Sequence, residues 1–176
     1  MKGKITIYLV CSLLIVGCAS EKVTEKSVDI KAQTVEKKES DDTPNFVKEA
    51  HFKQIHWEKE VKKIGTNGVS DIIGNPQKTG YIGPELQAEK TDKWLWHFYG
   101  KPNGSLTVIG YHQETAMISP ILISGYTINF GSGAMNGAEA TMPSNVSLPK
   151  PGKWALLVYI DEELYDTLVI NVKEKA

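Results

Sequence analysis

The chain has 176 residues, with 20 basic and 21 acidic side chains, 41% hydrophobic residues and a formal charge of -1. That length suits one modest domain with extra segments. Every basic residue is a lysine, so the chain offers neither a basic field for a nucleic-acid backbone nor a guanidinium fork for base edges, and the composition is neither collagenous nor disulfide-dense.

The chain opens with the cationic Met1-Lys2-Gly3-Lys4, and Ile5 to Val16 follows as twelve uncharged residues. A membrane helix needs about 20 apolar residues, so this run has the length of a signal-peptide core instead. It ends Ile15-Val16-Gly17-Cys18, which resembles the lipobox of bacterial lipoproteins. The resemblance implies that the Cys18 thiol is alkylated by diacylglycerol and that the small Gly17 lets a signal peptidase cut just before it. Two acyl chains hold a protein stably to a bilayer where one holds it marginally. Residues 1–17 are therefore expected to be a lipoprotein signal peptide, and the mature protein to be lipid-anchored on the extracytoplasmic face of the cell membrane. Cys11 leaves with the signal and Cys18 is capped, so the folded part is expected to hold no disulfide and no cysteine nucleophile.

Ala19 to Thr43 carries seven acids and five lysines without an aromatic residue or a glycine. High charge with low hydrophobicity predicts a flexible tether over 18–44, with a helix as the rival. As a coil, 25 residues span about 28 Å root-mean-square. The folded unit is expected over 45–176.

From Phe46 to Ile64 the apolar residues fit both helical and strand spacing; a strand is expected around His56 to Lys63, with a short helix as the alternative. From Gly65 onward glycine and proline interrupt every few residues, leaving no room for a helix of usual length. Lys93 to Tyr99, the turn Gly100 to Gly104, and Ser105 to His112 read as a hairpin. Ile118 to Phe130 reads as further strand, and Gly131 to Pro143 as a long glycine-rich loop. At the end of the chain, Trp154, Leu156, Val158 and Ile160 alternate with Lys153, Ala155, Leu157 and Tyr159. Asp161-Glu162-Glu163 turns the chain, and Leu168, Ile170 and Val172 face the core again. Period two with β-branched and aromatic residues predicts strands, and several short strands at this spacing predict an all-β antiparallel sandwich.

Trp94-Leu95-Trp96-His97-Phe98-Tyr99-Gly100, then Asn136 to Ser144, Leu148-Pro149, and Gly152-Lys153-Trp154 running to Tyr159-Ile160-Asp161 together resemble an uncharacterised lipoprotein domain family of Gram-positive bacilli. The likeness covers roughly residues 72–173. It implies a lipobox followed by an immunoglobulin-like β-sandwich, and it implies no activity.

His97 and His112 are the obvious candidate metal ligands. In a hairpin pairing Trp96 with Gly110, Trp94 sits across from His112 while His97 lies on the other face, so the pair makes no metal site and two satisfied or surface histidines are expected. Trp96 and Trp154 are expected in the core. Trp94 and Tyr99, at strand ends, are expected to reach the surface as binding aromatics. In the 131–143 loop, Asn136 and Glu139, with Ser144 just beyond, are the remaining candidate binding residues. Ser132 lies in Gly-Ser-Gly rather than a nucleophile elbow, and Asp161, Glu162 and Glu163 read as a solvated turn. No catalytic residue, metal or cofactor is expected.

These features point to a membrane-anchored, non-catalytic binding module for a protein, peptide or cell-wall component, with no nucleic-acid partner. The alternatives are an extracellular protease inhibitor that inserts the 131–143 loop, and a hydrolase.

Overall fold

The computed structural model describes residues 42–176 except Pro102 and Ser132. The expected signal peptide, Cys18 and nearly all of the tether lie outside the described residues.

The first described segment is a strap. After Pro44 comes a single helical turn, α1 (Glu49–Lys53), supported by an exposed Lys53–Glu49 ion pair of 3.0 Å one turn apart. The strap's apolar side chains, Val47, Phe52 and Ile55, are buried with Ile109, Ala155 and Leu157. Phe52 stacks on Tyr111 at 4.4 Å, and the Tyr159 hydroxyl donates to His51 Nδ1 at 2.9 Å. The expected strand at 56–63 is corrected accordingly. Residues 56–61 continue the strap: the Val61 N–H donates to the Val169 carbonyl at 2.9 Å, Glu60 pairs with Lys153 Nζ at 2.6 Å, and regular pairing begins at Lys62.

One sheet contains β1 (Lys62–Thr66), β2 (Asp71–Gly74), β3 (Thr79–Ile82), β4 (Asp92–Phe98) and β8 (Ala140–Val146), in the order β1-β2-β3-β4-β8. The other contains β10 (Glu163–Val172), β9 (Gly152–Ile160) and β5 (Gly104–His112), with β6 (Ile118–Pro120) and β7 (Thr127–Phe130) sharing the free edge of β5. All pairings between these strands are antiparallel, and the fold is an all-β sandwich. Its core sets Trp94, Trp96 and Phe98 against Leu106, Val108 and Trp154.

The β9–β10 hairpin is the one the alternation predicts. Leu168, Ile170 and Val172 share the core with Trp154, Leu156, Val158 and Ile160. Asp161 and Glu162 turn the chain at φ +52° and +68°, the two left-handed residues that a type I′ hairpin requires. The opposite face of β9 is buried as well, beneath the strap.

The expected hairpin of 93–99 with 105–112 does not form. β4 already has β3 and β8 as neighbours, and β5 has β9 on one edge and β6 and β7 on the other. The link turns at Gly100, held at φ +76° where a side chain is disfavoured, and carries the chain from one sheet to the other. The aromatic face of β4 thus meets Leu106 and Val108 across the core, which buries both faces more fully than a side-by-side pairing. His112 pairs with Trp154 rather than Trp94. Two further boundaries differ. Residues 118–130 form two short strands joined by a turn, and 140–143 belong to β8 because Ala140 and Met142 are core residues opposite Phe98 and Trp96.

Candidate binding site

Strand alternation sends Trp94, Trp96 and Phe98 inward, and their neighbours Leu95 and His97 to the outer face of the β4 sheet. His97 is fully buried there, with Gly80 opposite it on β3 and Thr141 on β8. Its Nδ1 lies 3.1 Å from the Leu95 carbonyl, and its Nε2 lies 2.9 Å from Asn136 Nδ2. A carbonyl only accepts, so Nδ1 carries the proton and Nε2 accepts from the Asn136 amide. This neutral tautomer dictates the amide's orientation. The NH₂ end faces the imidazole, and Oδ1 is left as an acceptor with no partner among the described residues.

The segment around Asn136 is fastened to the sheet. Asn136 and Gly137, at φ +55° and +84°, turn the chain between Met135 and Ala138. The Glu139 N–H donates to the Phe98 carbonyl at 3.1 Å, and Glu139 Oε2 accepts the Gly100 N–H at 2.6 Å. The Thr141 hydroxyl reaches the Gly133 carbonyl at 2.7 Å. Met135, 52% exposed, stands at the outer end.

These contacts frame a cleft of about 290 Å³ on the outer face, lined by Ile64, Thr66, Ile72, Gln77, Tyr99 and Asn136. Tyr99 is half-buried, and its backbone is gripped on both sides: its N–H donates to the Lys78 carbonyl at 3.0 Å, and its carbonyl accepts the Tyr165 hydroxyl. Its own hydroxyl has no hydrogen-bond partner among the described residues. Burial first, and Glu139 second, raise the phenol above its ordinary value, so the hydroxyl keeps its proton as a donor. Gln77 sits at φ +60° after Pro76, in a turn closed by the Lys78 N–H on the Asn75 carbonyl at 3.3 Å. That position favours glycine or asparagine, and holding a glutamine there costs about 1–2 kcal/mol.

Of the five candidate binding residues, Tyr99 and Asn136 come together in this cleft and Glu139 braces it. Trp94 and Ser144 do not belong to it. Trp94 is corrected from a surface aromatic to a core residue. It is 1% exposed, its ring lies parallel to Tyr81 at 3.7 Å, and its Nε1 donates to the Pro84 carbonyl at 3.1 Å. Ser144 is committed to the core as well, since its Oγ accepts the Trp96 Nε1–H at 2.8 Å. His112 is buried at the far end of β5, where Nε2 donates to the Pro151 carbonyl at 3.0 Å and Nδ1 accepts from Thr115 at 2.9 Å. Among the described residues no group of three His, Cys, Asp or Glu side chains is placed to hold a metal ion.

Sequence reasoning missed Ile64, Thr66 and Gln77 as cleft residues, and missed His97 as the group that orients Asn136. The Asn136-Gly137 dipeptide was the available signal for the turn, since Asn-Gly supplies two left-handed residues. Nothing local marks Gln77 or Ile64, which reach the cleft through the β1–β2–β3 register.

The buried imidazole has a pH consequence. Burial lowers the pKa of His97, with the Leu95 hydrogen bond opposing more weakly, and burial followed by Lys48 lowers that of His51. Below the ordinary value of 6.5 the unfolded chain binds more protons than the folded one, so stability falls as pH drops and is fully present above about 6.5. The urea midpoint is expected to decline as the pH falls below about 6.5, and His97→Gln to flatten that slope. An unchanged slope in the variant would assign the loss to other groups.

The geometry is that of a two-sheet domain with a loop-framed cleft on one outer face. The chain belongs to the DUF4871 family, a domain of unknown function, which matches residues 46–170. A crystal structure titled as a putative lipoprotein from Bacillus anthracis is similar in fold, with a TM-score of 0.62 and 23% identity, covering 74% of this chain and 96% of that one. No curated protein matches the chain.

Proposed function

We propose that this protein is a lipoprotein anchored through Cys18 at the outer face of the cell membrane, where an immunoglobulin-like sandwich serves as a non-catalytic binding module. The observation that carries the binding reading is the cleft: the Tyr99 hydroxyl and Asn136 Oδ1, both without partners among the described residues, line one concave site. Unpaired polar atoms over an apolar floor are what a small-ligand or wall-component site presents. The fastening of residues 133–139 to the sheet favours such a framed site over a loop that inserts into a protease. The anchoring reading rests on the run ending in Gly17-Cys18 and on the likeness to the Bacillus anthracis structure.

The test is metabolic labelling with a radioactive fatty acid in a lipoprotein-processing host. The wild-type chain is expected to take up label and fractionate with membranes, and Cys18→Ala to lose the label. Equal labelling of the variant overturns the anchor. For the binding reading, the detergent-solubilised mature protein is used to capture partners from membrane and wall extracts. Tyr99→Phe and Asn136→Ala are expected to reduce capture, and undiminished capture overturns the cleft as the site.

A further inference from the structure

We propose that the Tyr99–Asn136 cleft takes an uncharged acetamido sugar, the N-acetylated hexosamine class. The inference deepens the binding reading above and rests on it.

The lining decides the class. Among the described residues no titratable group but the Tyr99 phenol lines the cleft; its polar members there are two amides and two hydroxyls, over a floor that includes Ile64 and Ile72. The charged side chains next to it along the chain are engaged elsewhere. Lys63 pairs with Asp71 at 2.6 Å, Lys78 Nζ donates to the Tyr165 carbonyl at 3.2 Å, and Glu139 holds the Gly100 N–H. An ionic ligand entering here would lose its hydration without meeting a countercharge. A wholly apolar ligand would strand the phenol and the Asn136 carbonyl. An acetamido sugar answers each feature. Its amide N–H suits Asn136 Oδ1, its carbonyl suits the Tyr99 O–H, its methyl suits the isoleucine floor, and its ring hydroxyls suit Gln77. The volume, about 290 Å³, is at the lower end for ligand sites and fits one sugar residue rather than a chain. Free peptide termini bring charges that the lining does not meet.

The site is also pre-oriented. The relay from the Leu95 carbonyl through His97 to Asn136 Nδ2 fixes the amide's orientation and leaves Oδ1 as an acceptor for a ligand. Such preorganisation lowers the cost of binding. The left-handed Gln77 fits the same reading, since strain held at one residue marks a place where its side chain has a use.

The experiment is a calorimetric or ligand-observed NMR titration of the detergent-solubilised mature protein. Diacetylchitobiose is the probe; its de-acetylated, cationic counterpart and the neutral peptide analogue N-acetylalanine methylamide are the comparisons. Saturable binding of diacetylchitobiose is expected, with the cationic sugar and the peptide analogue at least tenfold weaker. Tyr99→Phe, which keeps the ring, is expected to weaken binding about fivefold, the worth of one hydrogen bond. Gln77→Gly is expected to weaken binding while raising the unfolding midpoint by a few °C as the strain is relieved. Absence of saturable binding to the acetylated sugar, equal or tighter binding of either comparison, or full affinity in Tyr99→Phe overturns the proposal. Capture of a wall or membrane partner that depends on Tyr99, without sugar binding, overturns the ligand class and leaves the binding reading standing.

Discussion

Trp94→Ala is expected to cost about 3–5 kcal/mol, the range for removing a buried aromatic side chain, whereas an exposed tryptophan at a strand end would cost under about 0.5 kcal/mol. The difference is large because Trp94 is held on every side. One face lies on Tyr81 at 3.7 Å, Trp96 meets it edge-on at 5.3 Å, and its indole N–H is spent on the Pro84 carbonyl. Gly83 leaves the space the indole needs, since a Cβ there would lie 2.0 Å from Trp94 Cδ1. Gly83→Ala therefore has to displace the ring, and such overpacking costs about 1–3 kcal/mol. Urea denaturation followed by far-UV circular dichroism reads both variants. A Trp94→Ala midpoint within error of wild type would return this residue to the surface.

Removal of residues 42–61 is expected to be more damaging still. It uncovers Ile109, Ala155, Leu157, Tyr159 and Val169 on the outer face of the β9 sheet and discards Val47, Phe52 and Ile55, which are buried against them. At about 1.5–3 kcal/mol for each large side chain, the loss is on the order of 5 kcal/mol or more, comparable with the net stability of a whole domain. The truncated protein is expected to be unfolded or associated, with increased dye binding and light scattering. A single substitution, Phe52→Ala, is expected to shift the urea midpoint downward by about 3 kcal/mol equivalent without changing the oligomeric state. A monomeric truncation with an unchanged midpoint would show that the strap adds nothing to the fold.

Strand identity was legible where alternation and turn chemistry agreed. From Trp154 to Val172 the period of two, the β-branched residues and the short polar turn all point to one hairpin, and the hairpin forms. Alternation says which face a side chain takes but not which strand lies beside it. This is why β4 and β5, adjacent in sequence and joined by a short glycine-rich link, looked paired although each fills a place in a different sheet. Trp94 was misjudged for a related reason. Its closeness to the strand start suggested exposure, but Tyr81, Pro84 and Gly83 arrive from a separate segment to enclose it. The cleft was half legible. Tyr99 and Asn136 drew attention as an aromatic at a strand end and a polar residue in a glycine-rich loop. Their meeting depends on His97, which sequence reasoning considered only as a metal ligand or a bland histidine. Ile64 and Gln77 complete the cleft through sheet register, which no local pattern encodes.

The strap also determines how the domain answers mechanical force. A pull applied upstream of Pro44 reaches the strap before it reaches any strand, and the strap is joined to the sandwich mainly by side-chain packing, with scattered hydrogen bonds such as His51 to Tyr159 and Val61 to Val169. Such contacts give way one after another under tension, as adhesive tape lifts from a surface, whereas a strand pulled along its own ladder resists with several hydrogen bonds at once. Traction from that end therefore spends itself first on Phe46, Val47 and Phe52, and the sheets carrying the cleft feel it only after the covering has come away.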